Sequence, residues 1–181
     1  MILVRAADCP VQPWRNGGGE TREITIEPVG ADMGDCLWRI SLATIAASGP
    51  FSCFAGMDRT LVALSGGPLS LRIGQESAAV VPHVPIHFAG ETAVEAAILG
   101  SPAIVLNIMT RRAAATATMC TFDEHRYERG AGRHYLVATG SCTIAGMVMA
   151  CGDVLYWPGS VAPMSCVGAP PLLLWLDGPA R

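Results

Sequence analysis

Along most of the chain, apolar and polar residues alternate with period two in short runs separated by Gly and Pro, the pattern of an all-β protein. Residues 21–26 set Arg22, Ile24 and Ile26 against Thr21, Glu23 and Thr25. Residues 37–44 place Trp38, Ile40 and Leu42 on one face and Arg39, Ser41 and Ala43 on the other. Residues 61–64 and 69–73 flank Ser65-Gly66-Gly67-Pro68, which reads as a hairpin turn because Gly adopts positive φ without steric cost. Further strands are predicted at 104–109, 135–138, 142–145, 154–157 and 172–176.

Two stretches fit this pattern less well. Residues 91–99 and 111–119 are Ala-rich, and Ala is the strongest helix former. The first is read as a strand; the second stays open between strand and helix. The polar stretch 112–132, with Asp123, Glu124, His125, Arg126, Glu128 and Arg129, is the best-placed connection between two halves. Residues 1–112 then form an N-terminal unit and 113–181 a C-terminal one, with strand sharing between them left open.

Composition narrows the function more than the fold. The 181 residues suffice for one domain or for two small barrels sharing a core. With 51% hydrophobic and 15% charged residues, a packed core is expected and disorder is not. Every one of the twelve basic residues is Arg, so no Lys is available for Schiff-base chemistry. A net charge of −3, with no basic run longer than Arg111-Arg112, argues against a phosphate-tracking nucleic-acid surface. The seven cysteines are odd in number and scattered, without a C-x-x-C pair, and read as free thiols in a reducing compartment. Arg5 interrupts the first apolar run too early for a signal peptide, and no run approaches the ~20 apolar residues of a membrane helix. A cytoplasmic protein is expected.

Three constellations bear on chemistry. Gly17-Gly18-Gly19 lacks the Lys-Ser/Thr ending of a P-loop and has no strongly helical segment after it. It reads either as a tight turn into the strand at 21–26 or as a backbone that lets N–H groups approach a ligand, with Trp14 and Asn16 beside it. Arg39 and Ser41 share one strand face, and Asn107, Met109 and Arg111 share another, each backed by a uniformly apolar face. These polar faces either meet water or line a barrel interior, where Arg and Asn among apolar residues suit a small anion. The four histidines, His83, His87, His125 and His134, lack metallocupin spacing, so no metal and no cofactor are expected. Ser41, Ser52 and the cysteines lack the G-x-S-x-G context of an activated nucleophile, and no general acid or base is assigned.

Five segments in order resemble the HutD/Ves family. They are Trp14-Arg15-Asn16-Gly17-Gly18-Gly19-Glu20-Thr21-Arg22-Glu23-Ile24, Trp38-Arg39-Ile40-Ser41-Leu42-Ala43, Gly49-Pro50-Phe51-Ser52, Gly56-Met57-Asp58-Arg59-Thr60-Leu61 and Asn107-Ile108-Met109-Thr110-Arg111-Arg112. The C-terminal third is similar only in length and strand-like texture. The resemblance implies an all-β double-cupin fold, two small antiparallel β-barrels packed in one compact unit. It also implies an association with histidine utilisation and a binding or regulatory role. Small acidic intermediates such as formylglutamate are the implied ligands. The residues expected to contact the ligand are Trp14, Asn16, Gly18, Thr21, Arg39, Ser41, Arg59, Asn107, Met109 and Arg111. The chain departs from the family pattern at Glu91, where the segment after Phe88 often carries Gly-Asp, and at Val105, where an Asp is usual.

Three functions follow as expectations. The first is a non-catalytic protein that binds a small carboxylate metabolite, with no nucleic-acid or membrane partner. The second is a metal-independent cupin enzyme, an isomerase or hydrolase acting on a similar acid. The third is an interaction module, a homodimer joined through an exposed strand edge.

Overall fold

A computed structural model describes residues 1–122, 132–158 and 165–178. Strands dominate, and the single helical element among the described residues is a short 3-10 turn at Ala6–Asp8. The first eleven strands are β1 (Ile2–Val4), β2 (Val11–Pro13), β3 (Gly19–Glu27), β4 (Trp38–Ile45), β5 (Gly49–Pro50), β6 (Met57–Gly66), β7 (Leu69–Ile73), β8 (Glu76–Ala79), β9 (Ile86–Ala89), β10 (Val94–Ile98) and β11 (Ala103–Arg111). Seven more follow: β12 (Thr116–Thr121), β13 (Arg133–Val137), β14 (Cys142–Ile144), β15 (Met147–Met149), β16 (Val154–Pro158), β17 (Cys166–Gly168) and β18 (Leu172–Asp177).

These strands form four antiparallel sheets. In the N-terminal half a six-stranded sheet, β2-β3-β4-β11-β6-β9, packs on a four-stranded sheet, β5-β10-β7-β8. Ala43, Ile45, Leu61, Leu71, Val94 and Val105 fill the space between them. In the C-terminal half a five-stranded sheet, β1-β16-β13-β18-β12, lies over the small sheet β15-β14-β17, with Leu136, Ile144, Met149, Trp157 and Leu173 between. Among the described residues the ladders form open sheets facing each other, and none closes on itself into the barrel implied by the resemblance. Among the described residues, no helix is long and apolar enough to cross a membrane.

The two large sheets meet back to back. Trp38, Ile40, Leu42, Leu106 and Ile108 from β4 and β11 pack against Tyr135, Val137, Val154, Leu172 and Leu174. The central strands of the six-stranded sheet are thus covered on both sides, which is why their polar faces carry so many apolar neighbours. Strand β1 crosses the boundary and pairs with β16 in the C-terminal sheet.

Two sequence expectations change. Residues 65–68 do not close a hairpin: β6 pairs with β11 and β9, whereas β7 pairs with β10 and β8, so the turn is a corner between sheets. Gly66 makes this corner possible, with φ of +101° and a position where an added Cβ would overlap the Pro102 carbonyl oxygen. The open stretch 111–119 turns once and then becomes β12, paired along its length with β18. There the ladder with Leu172–Asp177 overrides the local preference of the alanines for helix. The strand read at 91–99 is present as Val94–Ile98. Asp123, Glu124, His125, Arg126, Glu128 and Arg129 lie outside the described residues.

A cationic cavity on the six-stranded sheet

The inner faces of β3, β4, β11 and β6 build the floor and one wall of a cavity of about 410 Å³. Register fixes its composition. Asn107 lies opposite Ser41, and Met109 lies between Arg39 on one side and Arg59 on the other. On β3, Thr21 faces Ala43 and Glu23 faces Ser41, after which a bulge shifts the register before Thr25. Such a bulge re-aims the side chains around it. Here it leaves Glu23 beside Arg39, whose Nε donates to Glu23 Oε2 at 2.8 Å.

Arg59 is the distinctive group. Its side chain lines the cavity although the residue is only 5% exposed. The guanidinium lies over the rings of Phe88, Phe51 and Phe54, with centroids 5.0, 5.4 and 5.5 Å away. It donates to the Ser52 carbonyl at 3.2 Å and to Asn107 Oδ1 at 3.1 Å, while its buried Nε has no partner. Among the described residues no carboxylate pairs with it. Burial draws its pKa down to about 10, which still leaves it charged at neutral pH. Aromatic faces soften the loss of water but supply no counter-charge.

The signature segment forms the rim. Trp14 Nε1 donates to Thr21 Oγ1 at 2.8 Å, tying the ring to β3. Asn16 Oδ1 accepts from the Gly18 amide at 3.0 Å, and the Gly17 amide donates to the Trp14 carbonyl at 3.0 Å. Both glycine N–H groups are therefore hydrogen-bonded within the turn. Gly19 packs where an added Cβ would overlap the Thr44 carbonyl and lie 3.2 Å from the Trp14 ring. The glycines shape the turn, and Trp14, Arg15 and Asn16 are what it presents to the cavity.

Of the ten residues expected at the ligand, Trp14, Asn16, Thr21, Arg39, Ser41, Arg59, Asn107 and Met109 line this cavity together. Gly18 lines an adjoining cavity. Arg111 shares the alternation of Asn107 and Met109 but does not line this cavity. Its guanidinium donates instead to the carbonyls of Cys36 at 2.8 Å, Met33 at 3.3 Å and Gly34, clamping the loop before β4. Sequence reasoning misses Arg15 and the rings of Phe51 and Phe54; Phe88 adds the third ring over Arg59. No periodicity marks these residues as neighbours, although Phe51 sits in one of the recurring segments.

The remaining candidates have local roles. His83 Nε2 lies 3.1 Å from the Leu64 carbonyl, and His87 Nδ1 lies 2.8 Å from Thr60 Oγ1. Among the described residues, no three His, Cys, Asp or Glu side chains gather as a metal-holding group. Glu91 binds Arg112, which also binds Asp58, on the surface. Val105 is buried in the core of the N-terminal half.

An all-β fold with a cationic cavity in its N-terminal half defines the class. The chain belongs to the HutD family, whose model matches residues 6–160. Protein Ves of Citrobacter koseri is 43% identical over 105 residues, covering 57% of this chain and 54% of that protein. An uncharacterised 21.2 kDa protein from the hutC 3' region of Pseudomonas putida is 42% identical over 99 residues, covering 54% and 52%. The chain spans about half the length of the curated relatives it matches. HutD from Pseudomonas fluorescens SBW25, solved in a formate condition, superposes with a TM-score of 0.85 at 26% identity, covering 99% of both chains. The putative glyoxylate-induced protein of Pseudomonas aeruginosa, at 11% identity and a TM-score of 0.68 over 99% of this chain and 88% of that one, shares the fold alone.

Proposed function

We propose that this protein is a non-catalytic binding protein for a small carboxylate metabolite, with a regulatory role in histidine utilisation. The observation that carries the reading is Arg59, a cation buried beside a cavity without a carboxylate partner among the described residues. Such a charge is unfavourable in the free protein, and an anionic ligand would relieve it. A guanidinium fork matches a carboxylate, and Asn107, whose Oδ1 accepts from Arg59, has its amide N–H groups to donate beside it. The Ser41 hydroxyl lies on the same face.

Arg15, Arg39 and Arg59 line the cavity and, among the described residues, no acidic side chain does; Glu23 pairs with Arg39. This excess of positive charge favours dicarboxylates of the formylglutamate type. Among the described residues the lining contains no His, Asp, Glu, Cys, Lys or Tyr to move a proton, and its hydroxyls, Thr21, Ser41 and Ser52, have no such base beside them in the lining. That composition supports binding over metal-independent catalysis. Family membership and the hutC-region relative support the metabolic setting. The two sheet pairs would then be the two modules of a double cupin, with the site in the first.

Thermal unfolding across a panel of carboxylates tests the reading. The expected result is stabilisation growing as RT ln(1 + [L]/Kd), about 2.7 kcal/mol at a hundredfold excess over Kd, with the acid recovered unchanged. No response to any carboxylate, or turnover of one, overturns it.

A further inference from the structure

We infer that Cys142 and Cys166 form a reversible dithiol–disulfide pair, a redox modification site in the C-terminal half that staples β17 to β14. Both lie on the small sheet β15-β14-β17, and neither lines the cationic cavity. In the ladder between β14 and β17, Cys142 stands opposite Gly168, Thr143 opposite Val167 and Ile144 opposite Cys166. Val167 points to solvent, at 72% exposed, so Cys166 and Gly168 turn to the other face. Cys142 and Cys166 both pack into the core between this sheet and the five-stranded one. They are therefore diagonal neighbours on one inner face.

Two contacts bring the sulfurs together. The Cys166 thiol donates to the Ala169 carbonyl at 3.9 Å, so its side chain leans along β17 toward the rung of Cys142 and Gly168. Gly168 keeps that rung clear. It has φ of +108°, and a Cβ there would lie 3.0 Å from Cys142 Cα and 3.4 Å from Cys142 Cβ. Across this gap the two thiols share a hydrogen bond. Burial first, and then the neighbouring Cys166, push the Cys142 thiol above its ordinary value.

The pair differs in access. Cys166 is half-buried, whereas Cys142 is 4% exposed, so an incoming small-molecule disulfide reaches Cys166 first. The Cys166 thiolate attacks one sulfur of that disulfide, forming a mixed disulfide and releasing one small thiol. Cys142 then gives up its proton and attacks Cys166 Sγ, and the second small thiol leaves. Two protein thiols and one small disulfide thus become one protein disulfide and two small thiols. The bridge closes residues 142–166 into a covalent loop that contains β15 and β16.

Treatment of the unaltered protein with glutathione disulfide, followed by alkylation and peptide mapping, tests this. A cross-linked peptide joining Cys142 to Cys166 is expected, reversed by dithiothreitol, while the exposed Cys53 and Cys120 give mixed adducts. Cys142→Ala should trap glutathione on Cys166, because the resolving thiol is gone. Cys166→Ala should leave the buried Cys142 unmodified. The bridged protein should melt about 5–10 °C above the reduced one. Alkylation of both thiols after oxidation, or a Cys142→Ala protein without an adduct on Cys166, overturns the inference. A bridge that leaves Tm unchanged overturns the staple.

Discussion

Arg59 Nη2 donates to Asn107 Oδ1 at 3.1 Å, from β6 to the adjacent β11, so the buried cation sets which end of the amide faces the cavity. The contact orients the amide, and its Nδ2 hydrogens remain to donate. Asn107→Asp would replace its donors with a carboxylate held against Arg59 and neutralise the site from within. Carboxylate affinity is expected to fall at least ~100-fold, the equivalent of losing one charge-assisted bond, while the fold is retained. Titration calorimetry and circular dichroism check the two halves of this statement.

Arg59→Met separates binding from stability. A Met fits among Phe51, Phe54 and Phe88 and removes an uncompensated buried charge, which in comparable cases is neutral or stabilising by about 1–4 kcal/mol. The free protein should therefore keep or gain stability in urea melts. Its stabilisation by carboxylates should vanish.

Glu23→Gln should act in the opposite direction on binding. Arg39 is tied at 2.8 Å to Glu23, and releasing it frees a second guanidinium at the cavity. Affinity for dicarboxylates is expected to rise about 2- to 5-fold at low salt, corresponding to the ~0.5–1 kcal/mol of a partly exposed pair. The gain should shrink at high ionic strength.

Acid should loosen the junction of the N-terminal segment with the C-terminal sheet. Burial pushes the Asp153 carboxyl up, but the Ala150 amide, the Arg5 guanidinium and the Ala6 amide together outweigh it and hold the group below its ordinary value. Because the folded value is depressed, this stabilisation is present above the unfolded pKa of about 4 and is lost as pH falls through the folded value. Asp153→Asn should lose about 2–3 kcal/mol at pH 7 and show a flatter decline in stability below pH 5. Arg112 holds the exposed Glu91 at about 2, so a smaller, salt-sensitive contribution should fade over the same acid range.

Arg111→Ala distinguishes a scaffold residue from a ligand contact. Its loss leaves the carbonyls of Met33, Gly34 and Cys36 without their shared donor. Stability should drop by about 1–3 kcal/mol, with carboxylate affinity changed less than about 3-fold.

Period-two alternation makes the central strands legible in the sequence. Trp38, Ile40 and Leu42 do share a face opposite Arg39 and Ser41, and the mixed character of that second face signals burial on both sides. Asn107 and Met109 fall with them for the same reason. Alternation also assigns Arg111 to the site, because period two says where a side chain points but not where the strand leaves the cavity. The corner at Gly66 reads as a hairpin because turn chemistry fixes φ and leaves pairing partners open. Phe51, Phe54 and Phe88 come from a loop and from β9; only the closing of these segments over β6 brings them to Arg59. Convergence of that kind depends on register across several strands, which a single chain's local pattern does not encode.

Strand β1 has an evolutionary corollary. Ile2–Val4 completes an edge of the sheet formed by residues from the opposite end of the chain, and Trp38, Ile40 and Leu42 lean on that same sheet. A recombination event that exchanged residues 113–181 for an unrelated module would strip cover from the backs of β4 and β11, the strands that carry Arg39, Ser41 and Asn107. The strands that line the cavity thus owe the cover on their backs to the other half of the chain, and exchanging that half alone would leave Trp38, Ile40 and Leu42 without the surface they pack against.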